Sequence, residues 1–110
     1  MKFNSQKQEE AYYSDQILSC IEKAFDNFGI TVKLVVYHQL EKNYGVKKED
    51  IPKNIDVFAR AIDEFFGVGA QRVRVSIIYE LRRSSGITEL DEYDVVSAAK
   101  ELHRQLQREV

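Results

Sequence analysis

The sequence predicts an all-α protein, a compact bundle of about five helices around a buried fourth helix, and two observations carry that expectation. The first is punctuation: all five glycines and the single proline fall between segments whose apolar residues recur at helical spacing. The second is the stretch from Ile55 to Arg83, in which a glycine break, GVGA, joins an amphipathic segment to a more apolar one. On a wheel at about 100° per residue, Val73, Ile77, Ile78 and Leu81 cover one broad arc, and Val75 with Tyr79 cover much of the remainder. Only Arg72, Ser76, Glu80 and Arg83 form a wet stripe. A helix apolar over most of its circumference is normally covered on several sides, so this one is expected at the centre.

The first helix is defined by Ile17, Ile21, Ala24 and Phe28, widened by Leu18 and Phe25. Ser5 followed by Gln8 has the form of a capping box; it places the start near Gln6, with residues 1–13 fraying and a start near Ser14 as the alternative. Thr31 is the expected N-cap of the second helix, VKLVVYHQLEKNY, which ends at Gly45. Residues 31–37 and 72–77 are rich enough in β-branched or alternating residues to suggest strands. Both, however, run without a breaker into helix-forming continuations, QLEKN and ELRR, and helix is the better reading.

Residues 45–53 read as the one substantial loop, anchored in the core by Ile51 and kept from helix by Pro52, with Asn54 capping the third helix. That helix turns Ile55, Phe58, Ala59, Ile62, Phe65 and Phe66 inward. After the fourth helix and SSGITEL, Asp91 or Asp94 starts a fifth, whose Val95, Ala99, Leu102 and Leu106 make a narrow stripe. Glu89, Asp91, Glu92 and Asp94 suit the positive end of its macrodipole without any metal. A faint repeat relates the two halves: Phe-Gly at 28–29 and 66–67, an aliphatic run to Tyr at 35–37 and 77–79, a Leu, then Gly45 or Gly86. Duplication and convergence of two helix pairs both account for it.

With 110 residues, 44% hydrophobic and 31% charged, the chain suits one ordinary globular domain over residues 1–110. No apolar run approaches the roughly 18 to 20 residues that span a bilayer, and MKFNSQKQEE lacks a signal peptide's apolar stretch; a cytoplasmic protein is expected. The net charge of −2 is unevenly spread. Residues 1–28, 54–66 and 87–110 are net acidic, while 29–53 and 67–86 are net basic, so adjacent segments are expected to pair.

The string VYHQLEKNYGVKKEDIP at 36–52, with Phe58 and FGVGA at 66–70, resembles the archaeal helical family called the Nitrosopumilus output domain. The resemblance covers roughly residues 15–83 and rests on Tyr37, Leu40, Glu41, Tyr44 to Val46, Lys47, Glu49, Ile51, Pro52, the Phe66–Ala70 break, Ile78 and Leu81. It implies an all-helical module used alone or attached to sensory domains in prokaryotic signalling. No catalytic residues come with it.

Catalytic chemistry finds no constellation in the sequence. His38 and His103 lack the i, i+4 partner of a helical zinc site and read as lone surface histidines. Cys20 is the only cysteine, sits in an apolar pattern, and reads as a small buried thiol. GVG at 67–69 lacks the third glycine and the strand of a dinucleotide fingerprint. The expectation is therefore a non-enzymatic module without metal or cofactor, whose partner is a protein or a second copy. Its candidate contact residues are Arg72 and Arg74 on the fourth helix and Val95, Ala99, Leu102 and Leu106 on the fifth. Arg74 falls inside the apolar arc, which suggests either snorkelling to water or an ion pair with an acidic neighbour. The alternative function is nucleic-acid binding: the third and fourth helices have the outline of a helix-turn-helix, with Arg72 and Arg74 in the groove and Arg82 and Arg83 on phosphates.

Overall fold

In the computed structural model, which describes residues 2–108 with side chains from 8 to 107, the chain is all-helical, with no strand among the described residues. The order is α1 (Lys2–Asp26), α2 (Ile30–Tyr44), a 3-10 segment (Lys48–Asn54), α3 (Ile55–Phe66), a single 3-10 turn (Gly67–Gly69), α4 (Ala70–Ser85) and α5 (Val95–Arg108). The most extensive helix contact is between α1 and α4. They run antiparallel: Cys20 and Gln16 meet Ser84, while Phe28 lies beside Arg72 and Ser76. Ile17, Cys20, Ile21, Ala24 and Phe25 are buried from α1, and Val73, Ile77, Ile78 and Leu81 from α4. The remaining helices close around this pair. α3 and α5 both pack on α4 and on each other, and α2 lies against α1 and α3.

Several helix starts differ from the sequence expectation. α1 is continuous from Lys2 rather than from Gln6 or Ser14, and Ser5 lies inside it with its side chain outside the described residues. The first half of α1 has a partner: buried Tyr13 tilts against His103 of α5 at 4.6 Å between ring centroids, and His103 Nε2 lies 2.7 Å from Glu10 Oε1. α2 begins at Ile30, with Gly29 and not Thr31 at the N-cap. Gly29, at φ 99°, reverses the chain directly after Phe28, so the helix starts two residues earlier than a threonine cap at Thr31 would allow.

The 45–53 loop is largely the 3-10 segment, and Pro52 lies within it. Proline's φ near −65° falls in the 3-10 range, which is why the ring fits there although an α-helix interior would exclude it. Ile51 is fully buried, as its apolar character predicted. Asn54 does sit at the N-cap of α3, but its side chain donates to Asp50 O at 2.9 Å instead of accepting from the helix. At α5 the expected cap forms. Asp94 Oδ1 accepts from Val96 N at 3.0 Å and Ser97 N at 3.3 Å, and Asp91 Oδ1 accepts from Tyr93 N and Asp94 N in the turn before it. Gly45 and Gly86 end α2 and α4 in the left-handed region, at φ 68° and 76°.

The alternating segment charges appear as ion pairs between elements. Glu22 of α1 is the densest node: it meets Lys33 of α2 at 3.2 Å and Lys48 of the 3-10 segment at 2.5 Å, and accepts from Tyr37 Oη at 3.3 Å. Lys48, then Lys33, hold its carboxyl below the usual range against the opposing effect of burial. A group with a depressed folded pKa contributes stability above its unfolded value, and that contribution disappears as pH falls through the folded one. Thermal melts should therefore lose stability below about pH 4.5, the ordinary range for glutamate. Glu22→Gln, expected to cost about 1 kcal/mol at neutral pH, should flatten that acid limb; an unchanged limb would assign it to other carboxylates.

The α5 stripe lies inside the chain. Val95, Ala98, Ala99 and Leu102 are buried against α1, α3 and α4, and Leu106 packs at the edge of the same core. Leu102→Ala should cost about 2–5 kcal/mol, and Leu102→Asp should abolish the cooperative melt. A stable, folded Leu102→Asp monomer would contradict this placement.

Candidate protein-interaction surface

The fourth helix is covered on several sides but not all round. Its inner arc is covered as its wheel predicts, but Val75 and Tyr79 are 39% and 61% exposed, and Glu80, expected in the wet stripe, is only 8% exposed. The physical reason is the number of walls available. α1, α3 and α5 occupy the sides of α4 that carry Val73, Ile77, Ile78 and Leu81, and no described element lies over the Val75–Tyr79 edge. Glu80 is drawn into the α1–α4 boundary, where it sits 3.6 Å from Arg83.

The uncovered edge of α4 lines a groove of about 530 Å³ with the end of α1: Asn27 and Phe28 on one wall, Arg72, Val75, Ser76 and Tyr79 on the other. Arg72 and Val75 also border an adjoining depression with Gln71 and Val68, the latter fully exposed at the tip of the 67–69 turn. Beyond that turn, Phe65 and Phe66 join Val32, Val35, Val36 and Gln39 around a third, mainly apolar cleft between α2 and α3. Exposed Leu34 and Ile30 extend the apolar surface along α2. The Phe66–Val68 turn thus lies between the depression at the start of α4 and the apolar cleft between α2 and α3.

The cations around this surface are not equivalent. Arg74 pairs with Asp63 of α3, which is the acidic-neighbour reading of its place inside the apolar arc. Arg82 donates to Thr88 O at 2.6 Å and lies 3.7 Å from Glu92, tying α4 to the segment before α5; Arg83 faces Glu80. Arg72 alone among the four arginines of α4 has no ion pair among the described residues, and it lines both the groove and the adjoining depression. Of the residues singled out in the sequence, the structure therefore brings Arg72 to an open surface, ties Arg74 to α3, and places Val95, Ala99, Leu102 and Leu106 on the core side of α5.

Phe28, Val68, Val75 and Tyr79 are the surface residues that sequence reasoning missed as a site. The signal was available in the wheel of α4, whose apolar arc is wider than one neighbour needs. Groups suited to chemistry are dispersed elsewhere. Cys20 is buried and hydrogen-bonded to Ser84 Oγ at 3.2 Å, and burial pushes its thiol pKa up, which keeps it protonated. His103 is engaged with Tyr13 and Glu10 rather than standing alone on the surface, and no group of three metal-ligating side chains occurs among the described residues. No described helix is long and apolar enough to cross a membrane. Comparison with family models, curated proteins and solved structures finds no match to this chain.

Because Val75 and Ile78 are three residues apart on opposite sides of the α4 boundary, they separate surface from core. Val75→Asp should leave the circular dichroism spectrum intact and change stability by no more than about 1 kcal/mol. Ile78→Asp should unfold the protein. Equal damage from both would mean that the Val75 edge is covered.

Proposed function

We propose that the chain is a non-enzymatic, cytoplasmic regulatory module that works by docking a protein partner on the apolar edge of α4. One observation carries this reading: α4 leaves the apolar side chains of Val75 and Tyr79 in solvent beside half-buried Phe28 and exposed Val68, around Arg72, which has no ion pair among the described residues. Exposed apolar area of this kind, grouped and rimmed by polar residues, is characteristic of surfaces that associate. The resemblance of residues 15–83 to the Nitrosopumilus output domain agrees with such a role in archaeal signalling.

Nucleic-acid binding is the second reading, and the charge pattern speaks against it. Three of its four arginines face carboxylates or a carbonyl of the same chain, and phosphates would have to displace those partners. The supposed recognition helix also has its long apolar arc buried in the core. Two measurements test the proposal. Fluorescence anisotropy with duplex and single-stranded probes over about 50–200 mM salt should detect no salt-steep binding; tight binding lost in Arg72→Ala would favour nucleic acid. A photo-crosslinking residue at Val75 should yield a discrete protein adduct in native cells, and one at Glu49, exposed on the 3-10 segment, should not. No adduct, or the same adducts from both positions, would sink the docking surface.

A further inference from the structure

The docking reading can be taken to the chemistry of the partner, and the inference below rests on that reading. The groove between the end of α1 and the first half of α4 is lined by apolar Phe28, Val75 and Tyr79 and by the guanidinium of Arg72, which meets no carboxylate among the described residues. A second ammonium lies in the last turn of α1, just before the groove residues Asn27 and Phe28: Lys23 is exposed with no ion pair among the described residues. The carboxylates adjacent in sequence to the groove residues, Asp26 beside Asn27 and Glu80 beside Tyr79, are already engaged. Asp26 pairs with Lys33, Asp63 with Arg74, Glu64 with the Tyr44 hydroxyl and Glu80 with Arg83. A second copy of the chain docking through this same face would therefore meet Arg72 with flanking carboxylates, Asp26 and Glu80, that already have partners.

We infer that the groove takes an acidic amphipathic helix from a different protein, its apolar stripe on Phe28, Val75 and Tyr79 and its flanking carboxylates on Arg72 and Lys23. The helical form follows from the shape of the site. Two antiparallel helices make a trough into which a third helix packs by its side-chain ridges, and no strand among the described residues offers an edge for an extended peptide. Arg72 to Tyr79 spans about 10 Å along α4 at 1.5 Å per residue, so two to three turns of a partner cover it. The carboxylate supplies selectivity as well as attraction. Burying Arg72 beneath an apolar or basic segment would strand its charge, which disfavours such partners more strongly than a matched pair favours the right one.

The test uses the full chain and two synthetic peptides of about 16 residues, long enough for partial helicity in isolation. Both carry leucines at helical spacing; one is flanked by glutamates, its twin by lysines. Chemical-shift titration at low salt should place the acidic peptide on Phe28, Arg72, Val75 and Tyr79 and make it at least about tenfold tighter than the basic twin, a ratio within reach of a partly desolvated charge pair. Arg72→Gln, which keeps the apolar floor, should remove most of that preference, and Val75→Asp should weaken both peptides. Equal binding of the twins at this groove would overturn the acidic partner while leaving the docking surface standing. Tighter binding of the basic twin, or no binding of the acidic peptide at these residues, overturns the inference. Concentration-dependent shifts at the same residues without peptide, with a dimer by light scattering, would assign the groove to a second copy instead.

Discussion

The packing of α1 along α4 is the constraint on which the other contacts depend. Both helices present long apolar arcs, and small residues on α1, Cys20 and Ala24, are fully buried where the two meet. Side chains of that size let two helix axes approach closely, and Ile17, Ile21 and Phe25 of α1 are buried along with Val73, Ile77, Ile78 and Leu81 of α4. Phe25 then serves as the hinge to the rest of the core. Its ring stacks with Phe66 and meets Phe58 and Tyr37 edge-on at 6.3 to 6.5 Å between centroids, linking α1 to α2 and α3 in one aromatic cluster.

Charge has a secondary role, which is to select which neighbours meet. The acidic first and third helices and the acidic segment before α5 lie against the basic second and fourth, and the pairs Glu22–Lys33, Asp63–Arg74 and Arg82–Glu92 join them. Each such pair at a surface is worth at most about 1 kcal/mol, far less than the burial of one core leucine. Their value is in discrimination, because a helix packed in the wrong place would set like charges together. Arg72 is left over from this pattern. A bundle that pairs its other α4 arginines internally and leaves that one in an apolar groove presents a partner with both a surface and a sign.

Much of the fold was legible in the sequence. Periodicity and glycine punctuation placed five helices in the right order, overruled the β-branched runs at 31–37 and 72–77, and identified Ile51 as a core anchor. Local signals were less dependable at helix starts. Thr31 and Asn54 have the residue types of N-caps, yet neither supplies a cap bond, because Gly29's reversal and the 3-10 turn at Pro52 determined where the chain could enter the helix. Asp94, by contrast, accepts from the Val96 and Ser97 amides of the first turn.

What the sequence determined by itself is the set of apolar arcs: a narrow one on α5, a wide one on α4, and the mixed face of α1. Such arcs follow from spacing along one helix and need no knowledge of neighbours. Only tertiary structure decided which arcs meet. It put the α5 stripe against α1, α3 and α4, so Val95, Ala99 and Leu102 became core, and it left the Val75–Tyr79 edge of α4 in solvent. The reason is geometric. Three helices pack on α4 and each covers a limited sector of it, so an arc wider than those sectors keeps an exposed margin whose position depends on how the neighbours are arranged around it.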